Sequence, residues 1–481
     1  MKHTESGAEY EFQGGRQGIL PFEFEEEGPA AKVTAHGGLT FVLEAMRALR
    51  VDKSLDKHLK TRQLKRSDGM PDRQIVESLV LMLAAGGEHC DDMIKLMDDV
   101  ALQDIVGFDF CSPAVAKQFL YRFHDDSHEE EIGKRREKEP SYVPEETKEL
   151  LALGRVNEDA VHEAVRHSDE KTATLDLDAM ITESWKRNAE WTYKHVKGYQ
   201  PTLVLWAEQD LLVADEFRDG NVPAQSGVLE VLKRAVSALP KDIEFINFRS
   251  DSAAYQHKVM RWCNREIKGR PPIVFAISAD MSKEFRSAVL AVPQSEWNKD
   301  PQDPFYEWAE VPFVPGEPYE SKHSKPNRYL GIRITPRQGD LFADGSEVKH
   351  FGVVTNDWDR DGLELIKWHR AKAGTIEHTH HVLKNELGAG VYPCSRFHSN
   401  AAWLRLNVLT YNILSAMRKL VLPKELEKAR PKTLRYHLFS TAAQVIHHAR
   451  RIIVRLQERW RQAQWLDLPL LRRRLLALSQ C

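Results

Sequence analysis

The amino-acid sequence predicts a mixed α/β fold, in which helices cover both faces of a β-sheet. The first observation is a run of three strand patterns followed by strands that alternate with helices, between residues 172 and 278. Closely spaced strands favour an antiparallel meander, and alternation with helices favours parallel pairing under a helical cover. The second observation is helical periodicity in the regions on either side of these strands. The third is a stretch rich in Pro, Trp and Tyr, residues 281–349, which we interpret as a β-rich insertion.

The region before the sheet, residues 36 to 124, has the pattern of several short helices. One of them opens at Pro71 and Asp72, which suit a first turn, and ends at Gly86. Another opens at Ser112, which suits a helix cap before a proline. These helices fit a DNA-binding domain, and they also fit a helical packing domain that binds nothing.

The first strand of the sheet carries two acidic residues. The stretch Thr172–Met180 reads TATLDLDAM. Because side chains alternate along a strand, Asp176 and Asp178 share one face and the leucines share the other. Two carboxylates on one face of a core strand are costly to bury, and they are tolerated where a metal ion or a basic side chain is bound. The alternative is a strand that frays into a polar loop after Leu177.

Four more strand patterns and two helices complete the predicted sheet region. The strands cover Thr202–Glu208, Leu211–Phe217, Ile243–Phe248 and Pro272–Ser278, and the helices begin at Ser226, as a cap, and near Ala254. The fourth strand runs into Asp251, so the first and fourth strands both end in an acid. In α/β sheets, chemistry collects where strands end, which makes Asp178 and Asp251 candidates for one site.

The chain returns to the sheet after the insertion, in which residues 311–314 and 329–335 are strand-like. The returning strand is His350–Thr355. A long apolar helix is predicted at Arg396–Lys419, with its leucines and Trp403 in the core.

A polar helical stretch, Leu363–Leu387, precedes that long helix. Glu377 and Lys384 lie nearly two helical turns apart and therefore share one face. Glu377 with His378 and His381 would also fit a zinc site, but no cysteine or distant histidine has a suitable spacing.

Composition narrows the class of protein. No apolar run in the 481 residues approaches the roughly 20 needed to cross a bilayer, and no apolar segment follows the basic N-terminus, so we expect no membrane partner and no secretory signal. Five scattered cysteines without a CxxC pair indicate reduced thiols in the cytoplasm. The net charge of −3 hides a basic C-terminal end. Its arginines are Arg450, Arg451, Arg455, Arg459, Arg461 and Arg472 to Arg474. That end fits a nucleic-acid partner or a solvated amphipathic helix.

The order of these features resembles the RNase H-like core of the DDE transposases of bacterial insertion sequences. In that family an Asp ends the first strand, an Asp ends the fourth, and a Glu lies on a late helix after a β insertion. The resemblance covers residues 71–419. It rests on the segments TLDLDAM, GYQPTLVL, RDGN, FRSDS, IEHTHHVLKNELG and FHSNAAWLRLNVLTYNI.

The resemblance implies a catalytic and metal-binding triad of Asp178, Asp251 and Glu377, with Asp176 in reserve. It implies two Mg²⁺ or Mn²⁺ ions per site, cleavage of transposon ends by water, and attack of the freed 3′-hydroxyls on target DNA. The implied partners are double-stranded DNA, namely the terminal inverted repeats and the target, and a second copy of the chain. The implied location is the bacterial cytoplasm, on the nucleoid. The alternatives are a catalytically inactive DNA-binding relative and an RNase H-type nuclease without strand transfer.

Four further residues are implied DNA contacts. Lys384 matches the lysine of the Tyr-Arg-Glu-Lys signature of a related group. Arg370 and Ala373 replace its tyrosine and arginine, and Lys372 and Trp368 are candidates to fill those roles. Aromatic residues of the insertion, Trp297, Tyr306 and Trp308, could stack on a flipped base or pack in the core.

We therefore divide the chain into seven segments. They are a poorly ordered tail (1–35), a helical DNA-binding domain (36–125), a charged linker (126–165), the first part of the RNase H-like core (166–280), the β-rich insertion (281–349), the second part of the core (350–420) and a basic helical C-terminal region (421–481).

Overall fold

The computed structural model of the chain describes residues 32–61, 69–166, 168–315, 326–336, 347–456 and 467–480. The tail predicted at 1–35 lies outside the described residues except for its last four. The strands, in chain order, are β1 (Val33–Thr34), β2 (Thr172–Ala179), β3 (Thr182–Glu183), β4 (Glu190–Trp191), β5 (Lys197–Tyr199), β6 (Thr202–Trp206), β7 (Leu211–Glu216), β8 (Phe245–Ser250), β9 (Ile273–Ala279), β10 (Asn298–Asp300), β11 (Asp303–Glu310), β12 (Arg328–Ile334), β13 (Lys349–Thr355), β14 (Ala443–His448) and β15 (Arg451–Leu456). The helices are α1 (Thr40–Ala48), α2 (Val51–His58), α3 (Asp72–Ala85), α4 (Ile94–Met97), α5 (Val100–Val106), α6 (Pro113–Tyr121), α7 (Asp126–Lys138), α8 (Lys148–Val165), α9 (Val228–Ser237), α10 (His257–Asn264), α11 (Lys283–Ala291), α12 (Gly362–Arg370), α13 (Ile376–Asn385), α14 (Phe397–Leu420), α15 (Pro431–Leu434) and α16 (Leu468–Gln480).

A nine-stranded mixed sheet forms the centre of the molecule, in the order β10-β11-β12-β13-β9-β8-β2-β6-β7. The acidic strand β2 pairs antiparallel with β6 and parallel with β8. Beyond them, β6 pairs antiparallel with β7, and β8 pairs parallel with β9. The predicted meander followed by parallel strands is confirmed.

The two faces of the sheet bury different sets of residues. Leu175 and Leu177 of β2 belong to a cluster that includes apolar residues of α9, α10 and α11. The opposite face contributes Leu203 and Leu205 of β6 to a larger cluster with α13 and α14. The predicted helical cover on both faces is confirmed, and Asp176 and Asp178 lie on the face that the late helices α13 and α14 cover.

The insertion extends the central sheet. Its strands β10, β11 and β12 form an antiparallel series, and β12 pairs with β13 along its whole length. The strand expected at 311–314 is absent, because β11 ends at Glu310. Pro312 and Pro315 follow, and proline cannot donate to a strand ladder.

The long helix α14 lies at the centre of the helical part of the molecule. Its residues from His398 to Met417 are buried, and the prediction that Trp403 lies in the core is confirmed. It packs against α1, α3 and α6 before the sheet, against α8, and against β7 within the sheet. The N-terminal helices and α14 therefore share one hydrophobic core.

Three local predictions are wrong. The helix placed at Ser226 begins at Val228, with Gly227 as its N-cap in the left-handed region. The second half of the predicted linker is α8, whose apolar face packs on α14 and α2.

Helix was also expected throughout 421–481, yet β14 and β15 form a hairpin there. The β-branched side chains of these strands favour extended backbone, and the left-handed residues Ala449 and Arg450 form the tight turn. The seven segment boundaries remain predictions. Within the described residues, no helix is long and apolar enough to cross a membrane.

Candidate active site

The register of two parallel strands places Asp178 beside Asp251. Leu177 of β2 is paired with Ser250, the last residue of β8, and Asp178 and Asp251 are the residues that directly follow this pair. Adjacent strands are about 4.8 Å apart, and paired residues point to the same face. Asp251 Oδ1 also accepts a hydrogen bond from Ala253 N at 3.0 Å, which caps the turn after β8. Both carboxylates are only partly buried.

Asp176, two residues earlier on the same face, is fully engaged in the protein interior. It is 0% exposed, and its two oxygens accept hydrogen bonds from Arg249 Nε at 2.6 Å and Arg249 Nη2 at 2.7 Å. The hydroxyl of Thr375 donates to it as well. Arg249 in turn donates to the carbonyl of Trp368 at 2.7 Å. This network joins β2 and β8 to the connection between α12 and α13.

Glu377 reaches the same face from α13, which packs against β2. Residues Ala371–Gly374 form a short 3₁₀ turn that breaks the stretch predicted as one helix into α12 and α13. Lys372 in this turn is buried, and its Nζ lies 3.5 Å from Glu377 Oε1. Glu377 itself is half exposed.

The pKa of the Asp178 carboxyl reflects its burial and the charges near it. Burial raises the pKa of the Asp178 carboxyl to about 6, and the carboxylates of Asp251 and Glu377 act in the same direction. The Lys372 ammonium acts against them. Three like charges with one lysine leave a site that a divalent cation would stabilise.

The carboxylate oxygens of Asp178, Asp251 and Glu377 are not all as close to one another as the ligands of a single bound ion. In the part of the chain that the structure describes, one trio of possible metal ligands has donor atoms that all lie within 4.8 Å of one another, and it belongs to another region. The acids of the triad are therefore neighbours with an open centre.

The predicted DNA contacts divide into two groups. Lys372 lies among the carboxylates, and Lys384 Nζ donates to the carbonyl of Ile181, just after β2, at 3.1 Å. The guanidinium of Arg370 lies over the ring of Tyr306, 4.4 Å from its centroid. The indole of Trp368 lies against the guanidinium of Arg249, so it belongs to the network that holds Asp176.

The zinc alternative at the histidines of α13 lacks a donor set. His380 is buried, and burial lowers its pKa to about 3. His381 Nδ1 lies 3.1 Å from Asn385 Nδ2. Among the described residues, no trio of possible metal ligands includes a histidine of this helix.

Sequence reasoning missed three residues that position the acids: Arg249, Thr375 and His369. His369 Nε2 donates to the carbonyl of Ser250 at 3.0 Å, and burial lowers the pKa of this imidazole to about 4, which keeps it neutral. Arg249 could have been found, because it lies two residues before Asp251 and therefore on the same face of β8.

A small sheet of exposed aromatic residues follows the acidic strand directly. It is formed by β3, β5 and β4, and it begins three residues after the end of β2. Trp185 is 84% exposed, Trp191 60% and Tyr193 66%. Arg187 and Lys194 are exposed between them, and neither forms an ion pair with another described residue. We call this region, residues 182–199, the aromatic sheet.

The aromatic residues of the insertion are placed differently. Trp297 and Tyr306 are buried, and Trp308 packs against the start of α12, where its ring fills the space in front of Gly362. These rings therefore serve packing in this structure.

Comparisons with known proteins place the chain in a family. The family described as transposase DDE domain group 1 matches residues 25–476. Among curated proteins, none matches the chain. Among solved structures, the chain is similar to a piggyBac transposase in a cryo-EM synaptic complex with hairpin DNA, at 10% identity and a TM-score of 0.42, over 78% of this chain and 73% of that one. Because the family match covers nearly the whole chain, this protein belongs to the DDE transposase family, whose members cleave and move DNA elements.

Proposed function

We propose that Asp178, Asp251 and Glu377 are the catalytic carboxylates with which this transposase cleaves the ends of its DNA element and joins them to target DNA. The observation that carries the assignment is the register of β2 and β8, which sets two aspartates side by side on the face that α13 covers. Asp176 is already held by Arg249 and Thr375, so we assign it a positioning role.

The donor set fits hard divalent cations. All three candidate ligands are carboxylates, and oxygen donors suit Mg²⁺ or Mn²⁺. Burial raises the pKa of Asp178, the carboxylates of Asp251 and Glu377 act in the same direction, and a bound cation would favour the ionised form. We propose that Asp178, Asp251 and Glu377 hold two such ions. When bound, two divalent ions supply an activated nucleophile and stabilise the leaving oxygen in phosphodiester transfer.

The residues around the triad hold its geometry and charge. The buried ion pair of Asp176 and Arg249 fixes the spacing of β2 and β8 two residues before the proposed catalytic acids. Lys384 ties α13 to the backbone after β2, and so limits how far Glu377 can move from Asp178. Lys372 supplies positive charge between these acids, where a phosphate of the DNA backbone would also lie.

We propose that the aromatic sheet contacts DNA beside the triad. It combines exposed rings with basic side chains that lack acidic partners among the described residues. Aromatic rings stack on unpaired bases and basic side chains bind phosphates, so the surface suits DNA opened near a cleavage point. Two element ends require two active sites, and we propose that two chains act together on double-stranded DNA carrying the terminal repeats.

The test is cleavage of labelled DNA that carries the ends of the protein's own element, with Mg²⁺ or Mn²⁺. We expect cleavage and joining to a target plasmid by the wild type, and neither reaction by Glu377→Ala, which should still bind the DNA. Glu364→Ala is the matched control, because Glu364 is an exposed glutamate on the neighbouring helix α12.

Three other outcomes would each contradict a different part of the proposal. Cleavage by Glu377→Ala at the wild-type rate would overturn the triad. Cleavage without joining would indicate a nuclease, and DNA binding without cleavage by the wild type would indicate an inactive relative.

A further inference from the structure

A second cluster of possible metal ligands lies far from the triad in sequence. It consists of His124, Asp126 and Glu129. His124 follows α6, and the two acids belong to the first turn of α7, three residues apart and therefore on one face. In the described part of the chain, this is the trio whose donor atoms all lie within 4.8 Å of one another.

The histidine of this cluster is buried without a partner. Its side chain is 1% exposed, and neither ring nitrogen forms a hydrogen bond. A buried imidazole without a partner is costly, because its nitrogens give up their hydrogen bonds to water and receive nothing in return. This orphaned side chain is an observation independent of the acidic residues, and it points to a ligand.

The distances fit a shared cation better than an ion pair. His124 Nε2 lies 3.6 Å from Glu129 Oε2 and 3.7 Å from Asp126 Oδ1. Both exceed the range of 2.7–3.2 Å of a nitrogen to oxygen hydrogen bond. Ligands of a tetrahedral zinc ion, each about 2.0–2.2 Å from the metal, lie about 3.4 Å apart. The two distances from the histidine are therefore close to the spacing of ligands around one ion, and the two carboxylate donors lie within 4.8 Å of each other.

The surroundings leave room for a further ligand. His124 and Asp126 line a cavity of about 810 Å³, and Glu129 lies with His124 at a second, smaller cavity. One cation of the protein approaches it, since Arg396 Nη2 lies 3.4 Å from Asp126 Oδ1. Asp126 and Glu129 are both largely exposed, so the site is open to solvent on that side.

We propose that His124, Asp126 and Glu129 bind a zinc-class divalent ion, with water in the remaining position. An imidazole with two carboxylates suits zinc and similar ions, whereas the all-oxygen triad suits Mg²⁺ or Mn²⁺. The ion fastens the first turn of α7 to the buried end of α6. Further along α7, Arg136 pairs with Asp219 in the loop after β7, so a fixed α7 joins the N-terminal helices to the sheet.

The test measures zinc in the full-length protein after exposure to Zn²⁺ and gel filtration. All samples carry Glu377→Ala, so that zinc in the proposed catalytic site does not confuse the count. We expect about one equivalent per chain in this background and a loss of most of it with His124→Asn or Glu129→Gln. Glu129 is half exposed, so its variant folds even if the buried histidine cannot be changed. Glu130→Gln, at the exposed neighbouring position, is the control and should keep the zinc.

A second readout follows the structure of α7. Zn²⁺ should slow hydrogen exchange in residues 126–138 of the Glu377→Ala protein, and this protection should disappear with Glu129→Gln. Zinc retained equally by Glu129→Gln, or no zinc in any sample, would overturn the proposal. The proposed catalytic function would stand in either case, because it does not depend on this site.

Discussion

Asp176 and Asp178 lie two residues apart on one face of β2, yet replacing each with asparagine should have opposite effects on stability. In Asp178 the folded protein raises the pKa from 3.8 to about 6. At pH 7 the ionised carboxylate therefore costs the metal-free fold about 3 kcal/mol, at 1.36 kcal/mol per pKa unit. Asp178→Asn removes this cost and should raise the free energy of unfolding by up to that amount.

Asp176→Asn should do the reverse. The pair with Arg249 is buried on both sides, and removing one partner leaves a guanidinium charge without its counter-charge. Breaking a buried ion pair in this way costs about 3–5 kcal/mol. The two variants differ by one atom in each side chain, so each is the matched control of the other.

Equilibrium unfolding by urea, in EDTA, measures both effects. The sign of the pH dependence follows from the raised pKa of Asp178: the cost is absent below pH 3.8, grows as the pH rises through about 6, and is constant above that. The gain from Asp178→Asn should therefore shrink towards zero near pH 4. Equal destabilisation by both substitutions at pH 7, or a gain that does not depend on pH, would refute the electrostatic reasoning.

Three further outcomes are expected. Mg²⁺ should raise the urea midpoint of the wild type but not of Asp178→Asn, and an equal rise in both would place the ion elsewhere. Gly362→Ala should lower the free energy of unfolding by about 1–3 kcal/mol, because the new methyl group would collide with the ring of Trp308. An unchanged urea unfolding curve would contradict that packing. Arg405→Met should lower the free energy of unfolding by about 3–5 kcal/mol or prevent folding, because it leaves the buried carboxylate of Asp215 without its cation and removes one of the two arginines that pair with Glu146. Circular dichroism and urea unfolding measure this, and a stable variant would show the network to be dispensable.

The centre of the sheet was predictable because its strands are short, apolar and marked by turns. Once TATLDLDAM and FRSDS are read as strands that run into polar residues, Asp178 and Asp251 fall at strand ends, and the resemblance favours Asp178 over Asp176, which alternation places on the same face. The extension of the sheet by the insertion was not predictable, because the pairing of β13 with β9 joins residues about 75 positions apart and leaves no local signal.

The candidate site also has residues whose position could be predicted from the sequence and residues whose position could not. Glu377 was predicted from the resemblance to the family's glutamate on a late helix, whereas the position of Lys372 depends on the 3₁₀ turn that separates α12 from α13. The stretch after residue 125 was interpreted as a charged linker, and nothing in the sequence shows that His124, just before it, is buried. Likewise, the region 421–481 was predicted to be helical, although the β-branched residues of β14 and β15 favoured the hairpin.

The shared core of α3 and α14 also has a consequence for how the chain is made. At about 5–20 residues per second, a ribosome takes roughly 15 to 60 s to proceed from one helix to the other. Throughout that interval the apolar face of α3 lacks its partner, because α14 supplies much of the surface that covers it. The nascent chain therefore exposes this apolar face until α14 has been made, and a transcript broken before α14 yields a product that cannot complete its core.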